Sequence, residues 1–136
     1  MIVSPVQLRF HDMDMLGHLY NGQYTHIFDI GKLDFLEQVA GIRWGGGKGV
    51  VNVSTTNTYI EQVKFGDRIE IHTLAEKIGT KSFTILHRMV DCENGKIKAE
   101  SRVTLVAFDF VSQQSMDVLP EWREKLEAAI AEDAGK

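Results

Sequence analysis

Arg9-Phe10-His11-Asp12-Met13-Asp14-Met15-Leu16-Gly17-His18-Leu19-Tyr20-Asn21-Gly22-Gln23-Tyr24 is the stretch on which the reading of this chain turns. It sets two acids, two histidines and two glycines where a strand should stop and a long helix should start. The strand is expected at Val6–Phe10 and the helix from about Asn21 to Ala40. A helix start presents unpaired backbone N–H groups and the positive end of the helix dipole. An acid placed just ahead of such an end faces a ready-made anion site. That pairing suits acyl chemistry, in which a carboxylate acts and an oxyanion must be held.

Outward from this segment, Tyr24, Ile27, Phe28, Gly31, Phe35 and Val39 recur at helical spacing, and Ile30, Leu33 and Leu36 widen the apolar face. Asp29, Lys32, Asp34 and Glu37 fall on the other side. A helix of about 20 residues spans about 30 Å, enough to lie across a sheet. Gly31 costs about 1 kcal/mol against alanine inside a helix, so close approach of helix to sheet is its expected compensation. Gly41 is a C′ candidate that ends the helix.

After a glycine loop at Ile42–Gly49 the periodicity changes to two. Val50–Val63 reads as a long strand, Phe65-Gly66-Asp67-Arg68 as a turn, and Ile69, Ile71, Thr73 and Ala75 as one strand face. Gly79-Thr80 makes another turn, and Phe83, Ile85, His87 and Met89 form the next face. Asn94-Gly95 is a type I′ hairpin signal. Ala99, Ser101, Val103, Leu105 and Ala107 follow as a further alternating strand, and Pro120 starts a last helix carrying Trp122, Leu126 and Ile130. The order is strand, long helix, four antiparallel strands, short helix. This is α+β: one curved antiparallel sheet wrapped around a long central helix, in a single domain over residues 1–136.

The net charge of −4 and the lack of a basic block argue against a nucleic-acid partner. No run of about 18 apolar residues suggests a membrane span, and Met1–Phe10 lacks the basic and apolar regions of a signal peptide. With one cysteine no internal disulfide can form, and the cytoplasm is the expected compartment. HExxH and G-x-S-x-G are both missing, so neither a zinc hydrolase nor a serine hydrolase is indicated. His26, His72 and His87 lie in periodic elements without ligand partners at metal spacing. Cys92, between Asp91 and Glu93, is a poor nucleophile because neighbouring negative charge disfavours the thiolate.

With these pieces placed, the chain resembles the hotdog-fold acyl-CoA thioesterases, in particular the 4-hydroxybenzoyl-CoA thioesterase-like branch. Arg9–His18 looks like that branch's D-x-D-x-x-G-H segment. Tyr59-Ile60-Glu61-Gln62-Val63-Lys64-Phe65-Gly66-Asp67 is similar to its strand–turn element, Ile78-Gly79-Thr80-Lys81-Ser82-Phe83 to its next turn, and Leu119-Pro120-Glu121 to the start of its closing helix. The resemblance implies that Asp14 is catalytic, as nucleophile or general base, and that backbone groups at Gly17, His18, Leu19, Tyr20, Asn21 and Gly22 bind substrate or oxyanion. Asp12 and Tyr24 are supporting residues. It further implies an acyl-CoA substrate, no metal, no cofactor beyond the CoA of the substrate, and a homodimer or homotetramer with the site at a subunit interface. Tyr20 and Asn21 mix two sub-patterns of the family, so the acyl group stays open.

Plainer readings stand beside these. Asp14 could cap the helix, Asp12 could bond local backbone N–H groups, and Gly17 could be an ordinary turn glycine. His18 could simply orient the loop, Asn21 could be the N-cap, and Tyr24 could be core. Thr55, Thr56 and Asn57 could line a polar acyl pocket or face solvent. The alternatives for function are an acyl-carrier-protein thioesterase, docking through Arg43, Lys48, Lys64 and Lys81, or a non-catalytic acyl-CoA-binding module.

Overall fold

The computed structural model describes residues 1–43 and 45–134. Its strands are β1 (Ile2–Pro5), β2 (Lys48–Tyr59), β3 (Ile69–Ile78), β4 (Ser82–Asp91), β5 (Ile97–Asp109) and β6 (Gln114–Ser115); its helices are α1 (Asn21–Gln38) and α2 (Pro120–Asp133). All pairings are antiparallel, in the order β1-β3-β4-β5-β2, with β6 on β5. The α+β expectation of one sheet around a long helix holds.

The alternation along the sequence places the core. Ile69, Ile71, Thr73 and Ala75 of β3, Phe83, Ile85, His87 and Met89 of β4, and Ala99, Ser101, Val103, Leu105 and Ala107 of β5 are all buried. Two apolar clusters lie on this face. One gathers Phe35 and Leu36 of α1 with Phe83, Ile85, Leu105, Trp122 and Leu126. The other gathers Leu19, Tyr24, Ile27 and Phe28 with Val63, Ile71 and Met89. At Gly31 the helix meets the sheet: a Cβ there would lie 2.5 Å from Thr73 Oγ1 and 2.7 Å from Ile71 Cγ2. The expected close approach is therefore the reason that glycine stands mid-helix.

Several boundaries differ from expectation. The first strand is Ile2–Pro5, not Val6–Phe10. It pairs with Glu70–Thr73, and β3 begins at Ile69, so the ladder ends at Pro5. Val6 and Leu8 then pack on the cluster around Leu19, and Phe10–Asp12 form a 3₁₀ turn. The long strand is Lys48–Tyr59 rather than Val50–Val63. The N–H groups of Ile60 and Glu61 both reach the Lys98 carbonyl as the chain leaves the ladder. The glycine loop accordingly ends earlier than Gly49, and its residue 44 lies outside the described residues. Asn94-Gly95 is not a type I′ turn, because Gly95 (φ 72°) has positive φ and Asn94 does not. A longer loop closes instead, with Gly95 N–H on the Asp91 carbonyl at 2.8 Å. On α1, Ile30 and Leu33 are exposed and not part of the core face. The helix ends at Gln38 rather than Ala40, with Val39 as C-cap, so Gly41 (φ 70°) stands one residue past C′; it turns the chain away there, and Ile42 N–H returns to the Leu36 carbonyl at 2.7 Å.

Candidate active site

The segment ahead of α1 is a clipped loop. Met13 and Leu19 form an antiparallel bridge, and His18 bridges Lys64. Leu19 N–H reaches the Val63 carbonyl at 2.7 Å and Phe65 N–H reaches the Gly17 carbonyl at 3.1 Å. Inside the loop, Asp14 N–H donates to the His18 carbonyl (2.8 Å) and Gly17 N–H to the Asp14 carbonyl (3.1 Å). Gly17 has φ 77°, a conformation that a side chain resists, and this fixes the glycine three residues after the acid.

Asp14 is exposed and uses one oxygen structurally. Its Oδ1 accepts from Leu16 N–H (2.8 Å) and His18 N–H (3.2 Å), while Oδ2 has no protein partner among the described residues. It does not cap α1: the N-cap is Tyr20, without a side-chain cap bond, and Asn21 is the first helical residue rather than the cap. Asp12 bonds local backbone, its Oδ2 accepting from Arg9 N–H at 2.8 Å.

The backbone donors divide sharply. Gly17 and His18 give theirs to Asp14, Leu19 to Val63, and Tyr20 to the Asp12 carbonyl at 3.0 Å. Gln23 N–H turns back to the Tyr20 carbonyl. Among the described residues, the unengaged amides at this helix end are those of Asn21 and Gly22, in the first turn, where a helix supplies no acceptor of its own. The Tyr20 ring lies against Gly22, where an added Cβ would come within 2.6 Å of Tyr20 Cε2.

A cleft of about 320 Å³ opens here, lined by Asp14, His18, Asn21, Tyr24, Tyr59 and Gln62 among others. Tyr24 is 4% exposed and packs edge-on to Tyr59, with ring centroids 4.7 Å apart. Burial, and then the neighbouring Tyr59, raise its pKa, so it stays a neutral phenol at the cleft wall. Tyr59 through Gln62 were legible only as a strand–turn element. What could have marked them is the inner face of β2, which turns polar at Asn52, Thr55 and Asn57 just before them.

A larger cavity, about 550 Å³, lies beyond the other end of α1, between Leu33, Leu36, Ile42, Arg43, Lys48 and Phe110. Its one carboxylate, Glu37, stands at the C-terminal end of α1, where a helix presents carbonyls rather than free amides, so the smaller cleft is the better reactive site. Arg43 and Lys48 meet there, but Lys64 sits at the opposite end beside His18, and Lys81 is paired with Asp117 at 3.3 Å. The four cations do not form one patch. Among the described residues no helix is long and apolar enough to cross a membrane, and no three His, Cys, Asp or Glu side chains converge on a metal position.

Comparison with known proteins agrees with this architecture. A long-chain acyl-CoA thioesterase of Escherichia coli, FadM, is 24% identical over 130 residues, covering 93% of this chain and 98% of its own. A crystal structure of a Pseudomonas aeruginosa protein superposes with a TM-score of 0.83 at 26% identity, over 95% of this chain and 91% of that one. The probable thioesterase YbaW of Escherichia coli gives a TM-score of 0.84 at 21% identity, over 96% and 99%. The family model of the thioesterase-like superfamily matches residues 8–126, and the chain belongs to that superfamily.

Proposed function

We propose that this protein hydrolyses an acyl-CoA thioester to a free carboxylic acid and CoA, with Asp14 as the reacting carboxylate. The observation that carries the reading is the division of labour at Asp14. One oxygen is oriented by two backbone amides, the other is free, and both share a cleft with Asn21 at the open end of α1. Asp14 as general base takes a proton from water, whose oxygen adds to the thioester carbonyl carbon. As nucleophile it adds Oδ2 to that carbon, and water later cleaves the anhydride. In both routes the carbonyl oxygen becomes an oxyanion, the C–S bond breaks and the thiolate leaves. The Asn21 and Gly22 amides are the donors for that oxyanion, and one such donor is typically worth about 2.7–4 kcal/mol in catalysis.

The CoA ester is favoured as substrate because the curated relative is an acyl-CoA thioesterase. Arg43, Lys48, Lys64 and Lys81 do not form one patch, which counts against an acyl carrier protein docking through them. We also propose a homo-oligomer, a dimer or a pair of dimers. Strand β2 is a twelve-residue sheet edge, and Val53, Ile30 and Leu33 are 57%, 39% and 45% exposed; an uncovered edge of this length invites a partner. The single, exposed Cys92 suits a reducing compartment, so we place the protein in the cytoplasm.

The test is thiol release from a panel of acyl-CoAs in large excess over protein, with and without EDTA, for the parent and Asp14→Asn. Multiple turnovers unaffected by chelator, and a loss of kcat of at least about 100-fold in Asp14→Asn, are expected. Near-parent turnover by Asp14→Asn would refute the assignment. Release limited to one equivalent across the panel would point to a binding module.

A further inference from the structure

The inner face of the sheet carries one polar row. Strand register sets Thr73 of β3 opposite His87 of β4, His87 opposite Ser101 of β5, and Ser101 opposite Asn57 of β2. Side chains aligned this way share a face, with Cβ atoms about 4.5–5.5 Å apart from strand to strand. Thr73, His87 and Ser101 are fully buried beneath α1, whose Gly31 lies against Thr73 and His87.

His87 Nδ1 is 2.7 Å from Thr73 Oγ1, on the β3 side. The ring's other nitrogen, Nε2, is left for the opposite side, where the neighbouring strand is β5 and the register partner is Ser101. Among the described residues that Nε2 has no protein partner, and neither do the buried Ser101 Oγ and Asn57 Oδ1. Three of the four buried side-chain polar atoms left unpaired among the described residues thus fall in one row. Such atoms are rarely left unsatisfied in native proteins, and ordered water is their usual partner. Asn57 uses its other amide atom on the helix: Nδ2 donates to Thr25 Oγ1 at 3.1 Å.

We infer that an ordered internal water sits between His87 Nε2, Ser101 Oγ and Asn57 Oδ1, and that this hydrated row ties the sheet to the first turns of α1 through Thr25. Each of the three atoms gains a partner. The Thr73 hydroxyl donates to Nδ1, the proton on Nε2 goes to the water, and the water's two protons go to Ser101 Oγ and Asn57 Oδ1. Three bonds are the usual number for a buried water. The imidazole must be neutral for this tautomer, and burial, with Lys32 nearby, holds its pKa at about 3. Thr25 stands one turn beyond Asn21, so the row fixes the part of the helix whose free amides open on the cleft. Its bearing on turnover rests on the function proposed above.

Two measurements test the inference. A high-resolution crystal structure should show one water within hydrogen-bond distance of all three atoms; a dry row with the side chains bonded directly to one another overturns it. In thermal melts, Ser101→Ala leaves room for the water, whereas the methyls of Ser101→Val displace it and strand both neighbours. Ser101→Val should therefore melt roughly 5 °C below Ser101→Ala; a valine variant as stable as the alanine variant overturns the hydration site. For the link to the helix, Thr25→Val should lower kcat about fivefold with KM within about twofold, and Thr25→Ser should restore it. Full turnover by Thr25→Val overturns the positioning role and leaves the Asp14 assignment standing. An active Asp14→Asn would instead sink the proposed function and leave the hydration result untouched.

Discussion

Gly31→Ala is the substitution that tests the packing most directly, because two opposing effects act at one atom. In a free helix alanine is better than glycine by about 1 kcal/mol. In this fold the new Cβ would stand 2.5 Å from Thr73 Oγ1, 2.7 Å from Ile71 Cγ2 and 3.3 Å from His87 Nδ1. Thr73 and Ile71 are fully buried in β3, and both are β-branched, so neither can swing aside at χ1. The helix must lift from the sheet, at an overpacking cost of about 1–3 kcal/mol, and the 2.7 Å Thr73–His87 hydrogen bond is strained with it. With two contacts far inside van der Waals distance the upper part of that range applies, which leaves a net loss of about 2 kcal/mol. A chain of 136 residues gains about 0.3 kcal/mol/K of entropy on unfolding, so Tm should fall by about 7 °C. The assay is a thermal melt at fixed protein concentration, since assembly would shift Tm by mass action. Adding Thr73→Ala, which removes the closest atom, should recover part of the loss in a double-mutant cycle. A Gly31→Ala variant melting at or above the parent would refute the account of the contact.

Further outcomes follow from other residues. His87 has a folded pKa of about 3 against 6.5 unfolded. Below pH 6.5 the unfolded chain binds a proton that the folded chain refuses, so stability falls on acidification by about 1.4 kcal/mol per pH unit until the folded pKa is reached. Denaturant melts from pH 6.5 to 4.5 should show this slope in the parent and its loss in His87→Gln; equal slopes would refute it. Asp12→Asn, which keeps an oxygen acceptor for Arg9 N–H, should reduce kcat less than Asp14→Asn, and the reverse order would exchange the two roles. Light scattering should give the parent at least twice 15.3 kDa, and Val53→Asp on the exposed edge strand should shift it toward the monomer; a monomeric parent would refute the oligomer.

The α1 helix and strands β3 to β5 were legible because burial there follows the period that the sequence writes. Gly31 was legible for the same reason, as an anomaly inside a periodic run that only a close contact explains. The first strand was misplaced because Ile2–Pro5 and Val6–Phe10 are similarly apolar, and the choice between them is made by where β3 begins, some 65 residues later. Ile30 and Leu33 read as core because they are apolar, yet they are exposed, off the α1 face that buries Phe28, Gly31 and Phe35. At the site the motif marked Asp14, but a motif carries no account of backbone donors. That Gly17 through Tyr20 spend theirs internally, leaving Asn21 and Gly22, depends on Val63 and Phe65 clipping the loop from another part of the chain. The row Thr73–His87–Ser101–Asn57 was likewise invisible, because it exists only once three strand registers are set.

The strand order also dictates a sequence of assembly. Strands β3, β4 and β5 are consecutive hairpins, whereas β1 must find β3 across the whole of α1 and β2, and β2 must find β5 past two intervening strands. Contacts close in sequence form at little loop-closure cost, and distant ones wait for them. The central meander is therefore the expected folding nucleus, with β1 and β2 joining from its two sides. Run backwards, the same logic makes those two edges the first to open in native-state hydrogen exchange. The candidate active site, one wall of which is the far end of β2, thus sits on a strand expected to join the sheet late. An acyl ligand bridging Tyr59 and α1 would then slow exchange along β2 well before it changed the exchange of β4.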